Sequence, residues 1–128
     1  MLKNVFLLLA IFWTTLSVYL FLSSSSSLSI DTQVKNADKY FHAGFHGLFV
    51  VFWYLGLRPK TIFDPIRKLL FPVVATSIIY GIAIEFAQYA FTDSRSADFF
   101  DILANCSGAL IAFVLMLAYE KWGHKSVI

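Results

Sequence analysis

The residues able to do chemistry in this 128-residue chain fall into three short stripes. Asp38, His42 and His46 recur at i, i+4 and i+8, the spacing that stacks side chains on one helix face. Glu85 and Gln88 stand at i and i+3, while Asp98, Asp101, Asn105 and Gly108 follow one another at intervals of three, four and three. Lys39 adjoins the first stripe and Arg95 precedes the third. Carboxylates, imidazoles and amides brought together can orient a polar group, move a proton or ligate a metal. Lysine and arginine beside them add charge-assisted donors for an anion such as phosphate.

The elements that carry these stripes must sit in a membrane. Hydrophobic residues make up 59% of the chain and charged residues 14%, and the mean hydropathy is +0.72. That is more apolar surface than one soluble core of this length can hide, so the excess must face lipid. Four runs carry it, Val5–Leu22, Tyr40–Leu57, Leu69–Phe91 and Ile102–Tyr119, each near the roughly 20 residues that a helix needs to cross a hydrocarbon core. Long, near-continuous apolar runs exclude the alternating strands of a barrel. The predicted fold is all-α, a four-helix transmembrane bundle. Residues 1–30 hold the first helix and a serine-rich loop, residues 31–120 a membrane domain of three more helices, and residues 121–128 a tail. Lys3, the first apolar run and Ser23–Ser27 imitate a secretory signal. The run exceeds the roughly 7–15 residues of a signal core and carries Phe12, Trp13, Tyr19 and Phe21, which predicts a retained anchor. The net charge of +2 gives no reason to expect nucleic acid, and Cys106, the single cysteine, excludes an internal disulfide.

Lysine and arginine counts orient the chain. Lys3, Arg58, Lys60, Arg67, Lys68, Lys121 and Lys125 gather on one side, and Lys35, Lys39 and Arg95 on the other. The positive-inside rule makes the first side cytoplasmic, with both termini inside the cell membrane. Between the second and third helices, Arg58–Lys68 reads as a short interfacial segment held by basic residues, and Pro72 falls near the start of the third helix, where its missing N–H costs little. The second and fourth helices then begin, and the third ends, on the outer side. At about 1.5 Å per residue, Glu85 lies roughly 9 Å inside Phe91, His46 roughly 9 Å inside Tyr40 and Asn105 roughly 5 Å inside Ile102. All three stripes occupy one depth, as a shared pocket requires.

Structural roles compete with functional ones at several positions. Asp38 and Asp98 can cap helices, Asp101 can pair with Arg95, and Asn105 can bond between helices. Gly44, Gly47, Gly81 and Gly108 suit close helix approach. Glu85 differs, because a carboxylate so deep must pair with His42, Lys39 or Arg95 or stay neutral. His42 and His46 with Glu85 or Asp101 could chelate an ion, but no second histidine pair and no cysteine set accompanies them, so neither metal nor cofactor is expected. No serine stands in the distinctive turn of a nucleophile.

The pattern Asp38-Lys39-x-x-His42, then Glu85-x-x-Gln88, then Arg95-x-x-Asp98-x-x-Asp101-x-x-x-Asn105-x-x-Gly108 resembles the VanZ-like family of small bacterial membrane proteins, from Asp38 to about Ala112. His46 stands where that family usually has an aromatic residue, and Ala112 where a further glycine is common. The resemblance implies Asp38, Lys39, His42, Glu85, Gln88, Arg95, Asp98, Asp101 and Asn105 as the ligand-binding set. It also implies a link to teicoplanin resistance, the trait for which the family is named. It assigns those residues no roles.

Two functions from different classes follow. The first is a binding or modulating protein whose outer pocket takes a membrane lipid or lipid-linked envelope molecule. Lys39 and Arg95 would meet the anionic head group, and Glu85, His42 and Asp101 would orient it. The second is an enzyme on the same kind of substrate, with His42 or Glu85 as general base and Asp101 as partner. A proton-coupled transporter ranks last, since no internal repeat and no polar track through the cytoplasmic half accompanies Glu85.

Overall fold

The computed structural model describes residues 1–23, 37–58, 66–91 and 98–125. They form four helices: α1 (Leu2–Leu22), α2 (Ala37–Leu57), α3 (Ile66–Phe91) and α4 (Phe99–Lys125). All four are long and apolar enough to cross a membrane. Helices are what such sequences must form, because lipid offers no partner for a backbone N–H or C=O. The serine-rich loop, most of the expected interfacial segment and Arg95 lie outside the described residues.

The basic end of that segment, Ile66–Lys68, is the first turn of α3. Pro72 therefore falls inside the helix, beyond the first turn where a proline is harmless. Its ring removes the N–H that would have bonded to the Lys68 carbonyl. Phe71 and Pro72 are exposed, so the ring lies on the outer face of α3, while Leu70, Val73 and Val74 beside it face the core.

Burial divides the bundle along its length. One half packs Val50, Tyr54, Leu70, Val73, Val74, Ala109 and Ala112 into an apolar core. The other half, where α2 and α4 begin and α3 ends, buries His42, His46, Ser77, Glu85, Gln88 and Asn105. The outer surface is apolar, with Leu8, Phe12, Ile79, Phe86, Ile111 and Val114 all exposed, as lipid contact demands.

The most extensive interface joins α2 to α4. Gly108 makes it possible: a Cβ at this position would overlap the Ala43 carbonyl. Gly47 faces the same crossing from α2, where a Cβ would meet the Gly108 carbonyl oxygen at 3.4 Å. Gly44, also expected at a close approach, faces open space. At the far end of this interface Glu120 accepts bonds from Tyr54 Oη at 3.1 Å and Arg58 Nη1 at 3.0 Å, a second tie between α2 and α4.

The first helix is bonded into the bundle along most of its length. Its Leu7 backbone lies 3.0 Å from where a Gly56 Cβ would stand. Trp13 Nε1 donates to the Phe45 carbonyl and Trp53 Nε1 to Thr14 Oγ1, each at 3.1 Å. Ser17 Oγ and Tyr80 Oη share a bond of 2.8 Å.

Gly108→Val should lower thermal stability in detergent by about 1–3 kcal/mol, the range for overpacking a tight crossing. Gly44→Ala should change it by less than about 0.5 kcal/mol. Thermal unfolding followed by circular dichroism measures both.

Candidate functional site

The polar half is assembled by four helices. His42 comes from α2, Glu85 from α3 and Asp101 with Asn105 from α4, while Phe21 of α1 stacks on the His42 ring at 4.6 Å between centroids. His42 and Glu85 have side chains only 2% exposed, and Asp101 is 13% exposed. The His42 ring is bordered by oxygen on both sides. Nδ1 lies 3.0 Å from Asn105 Oδ1 and 3.5 Å from Glu85 Oε1. Nε2 lies 3.7 Å from Asp101 Oδ2. One ring nitrogen of His42 and one carboxylate oxygen from each of Glu85 and Asp101 fall within 4.8 Å of one another.

Lys39 closes this cluster at its solvent end. Its ammonium donates to Asp98 Oδ2 and Asp101 Oδ1 at 2.9 Å each and to Asp38 Oδ2 at 3.2 Å. An ammonium has three protons, and three carboxylates take them. Lys39 therefore staples the start of α2 to the start of α4, which differs from the open anion receptor expected of it. Asp38 stands at the rim, more than half exposed, one turn above His42. Asp98 caps α4 by accepting the Phe100 N–H at 2.8 Å with Oδ1, leaving Oδ2 for Lys39. The Lys39 ammonium, and after it the Phe100 N–H, hold the Asp98 carboxyl below its ordinary value of 3.8.

His46 and Gln88 point away from the cluster's centre. His46 is buried and its Nδ1 shares a 2.9 Å bond with Ser77 Oγ of α3. It does not join His42 in an i, i+4 chelate. Gln88 Nε2 donates to the Phe21 carbonyl at 2.9 Å, which secures the last turn of α1. The role is helix docking, and it holds Phe21 over His42. Gly81 sits where these groups converge, since a Cβ there would lie 2.9 Å from both Asn105 Nδ2 and His46 Cε1. Asn105 Nδ2 and His46 Nε2 are buried with no hydrogen-bond partner among the described residues.

Four helices thus converge on one buried His–Glu–Asp–Asn cluster under a lysine staple, with residues of all four placing it. A family model, VanZ/LLP1, matches residues 4–120, nearly the whole chain. The chain belongs to the VanZ/LLP1 family. The match begins within α1, which the polar pattern from Asp38 onward did not reach, and α1 is the helix that lays Phe21 on the site. No curated protein and no solved structure matches the chain.

Two further residues of this VanZ/LLP1 protein serve the site without having stood out in its sequence. Ser77 and Phe21 belong to apolar runs, and neither type announces a role at that position. Only Ser77 had a signal of a kind, a buried hydroxyl within an otherwise apolar stretch of a membrane helix. An apolar groove of about 320 Å³ on α4, lined by Leu110, Ile111, Val114 and Leu115, is remote from the cluster and shares no residue with it.

Asp98 contributes stability that is complete above its unfolded value and lost as pH falls through its depressed folded value. Acid titration below pH 3.8 should therefore destabilise the wild type more than Lys39→Met, in which Asp98 returns toward 3.8. Thermal midpoints at stepped pH read the difference. Ser77→Ala should cost about 1–3 kcal/mol in the same assay, because it strips a buried imidazole nitrogen of its partner.

Proposed function

We propose that this VanZ/LLP1 protein lies in the bacterial cytoplasmic membrane with both termini inside, and that its polar cluster binds the head group of a lipid or lipid-linked envelope molecule from the outer leaflet. The observation that carries the reading is the burial of His42, Glu85 and Asn105, from three helices, directly beneath a charged rim at one end of the bundle. Ionisable groups so placed in a membrane protein are expensive and mark sites. A head group offers the chemistry they require, with polar atoms at that depth and an apolar tail that can stay in lipid beside the bundle.

The structural role of Lys39 alters how such a ligand is met. Its protons are taken by Asp38, Asp98 and Asp101. Contacts to a head group fall to His42, Glu85, Asp101 and Asn105, with Arg95 as the remaining basic residue of the family pattern. Binding of an envelope precursor here would bear on susceptibility to lipoglycopeptides such as teicoplanin, whose targets are molecules of that class.

A second reading is favoured by the flanking of one imidazole by two carboxylates at 3.5 and 3.7 Å. It is an enzyme acting on a lipid head group, with His42 or Glu85 as the general base and Asp101 as its partner.

Native mass spectrometry of the protein extracted with its own lipids tests both. The wild type should carry a discrete lipid that is lost in Glu85→Gln and Asp101→Asn. No selective lipid on a folded wild type would sink the binding role. Lipid retained on Glu85→Gln, together with loss of turnover of that lipid, would establish the enzyme instead.

A further inference from the structure

Asn105 Nδ2 and His46 Nε2, each buried with no hydrogen-bond partner among the described residues, belong to side chains that meet at Gly81. A Cβ on Gly81 would lie 2.9 Å from Asn105 Nδ2 and 2.9 Å from His46 Cε1, the ring carbon bonded to Nε2. Both residues are only 1% exposed. An unpaired polar group at such a depth costs about 1–3 kcal/mol, so buried groups of this kind are met by protein, ordered water or ligand.

The other polar atoms of these side chains are already engaged. Asn105 Oδ1 lies 3.0 Å from His42 Nδ1, which leaves the amide nitrogen turned toward α3 and Gly81. His46 Nδ1 shares a 2.9 Å bond with Ser77 Oγ, one turn before Gly81 on the same helix, so Nε2 is the ring nitrogen that can take a further partner. Asn105 Nδ2 can only donate. His46 Nε2 accepts when Nδ1–H donates to Ser77, and donates when the Ser77 hydroxyl donates to Nδ1.

A hydroxyl answers both atoms in either tautomer. One lone pair accepts from Asn105 Nδ2, and the hydroxyl proton or the second lone pair then meets His46 Nε2. An ammonium has no lone pair to offer Asn105. A phosphate oxygen has no proton for an accepting Nε2, and it would carry a full charge to a depth where burial is costly. The Lys39 ammonium that might have offset that charge is bonded to Asp38, Asp98 and Asp101.

We infer that Asn105 and His46 together hold a hydroxyl of the bound head group, so that the ligand class of this site is a polyol or sugar head group. The inference rests on the head-group reading above and deepens it. It gives His46, which stands apart from the His42 cluster, the task of reading one group of the ligand.

The test uses two lipids with the same acyl chains and the same phosphodiester charge, phosphatidylglycerol, whose head group ends in hydroxyls, and phosphatidylethanol, whose head group has none. Each is titrated into the full chain in detergent, and bound lipid is counted by native mass spectrometry. The wild type should bind phosphatidylglycerol about tenfold or more tightly than phosphatidylethanol, since a site built to bond a hydroxyl rejects the analogue without it. The preference should shrink to about twofold or less in Asn105→Leu and in the double variant His46→Phe/Ser77→Ala, which removes both partners of a buried bond and strands neither. Ser77→Ala alone should retain the preference, because His46 Nε2 remains. Circular dichroism confirms folding, and the double variant carries the test should Asn105→Leu fail to fold.

Equal affinity of the wild type for the two lipids overturns the inference, leaves the head-group reading standing and assigns the oxygen beside Asn105 and His46 to water. A preference that the variants leave unchanged also overturns it, since another group then reads the hydroxyl. The lipid retained from the native membrane separates the two ideas. A retained head group without a hydroxyl overturns the inference alone, whereas no retained lipid and no uptake of either probe overturns the head-group reading with it.

Discussion

The close crossing of α2 and α4 is the constraint on which the remaining architecture depends. With hydrogen in place of a side chain at Gly108, the α4 backbone can rest against the Ala43 carbonyl of α2. That contact fixes the separation of the two helices right beside His42 on α2 and about one turn from Asn105 on α4. Lys39 can then reach Asp98 and Asp101 from α2, and His42 can reach Asn105. Between membrane helices, where lipid removes most of the hydrophobic drive to associate, backbone proximity and polar bonds must do the holding.

A second consequence is the separation of tasks along the bundle. The half that contains Val50, Leu70, Val74 and Ala109 is an apolar core, closed at the end away from the cluster by the bonds of Tyr54 and Arg58 to Glu120. This rigid half leaves the polar half to tolerate costs that packing would otherwise forbid. Burying Glu85 and two histidines is unfavourable in itself, and they persist because other helices place partners within reach. Phe21 and Gln88 show that α1 shares in this, through a ring laid on His42 and an amide bond to its last turn.

The acidic excess around the cluster changes which ligands make sense. A free lysine at a membrane surface attracts phosphate, but a lysine bonded to three carboxylates forms part of a locally anionic site.

Much of this was determined by the sequence itself. The four runs from Val5 to Tyr119 announced four membrane helices because lipid penalises any other arrangement of backbone, and helix bounds differ from the runs by only a few residues at most ends. Helical periodicity also placed His42, Glu85, Asp101 and Asn105 at one depth, since rise per residue is fixed. What periodicity does not contain is the rotation of one helix against another. Only tertiary structure decided that His42 turns to Asn105 while His46 turns to Ser77, that Lys39 is consumed by carboxylates, that Gly44 meets open space and that Pro72 lies within α3. His42, Glu85 and Asp101 come from three helices, so no spacing along the chain joins them and they become neighbours only when the helices pack.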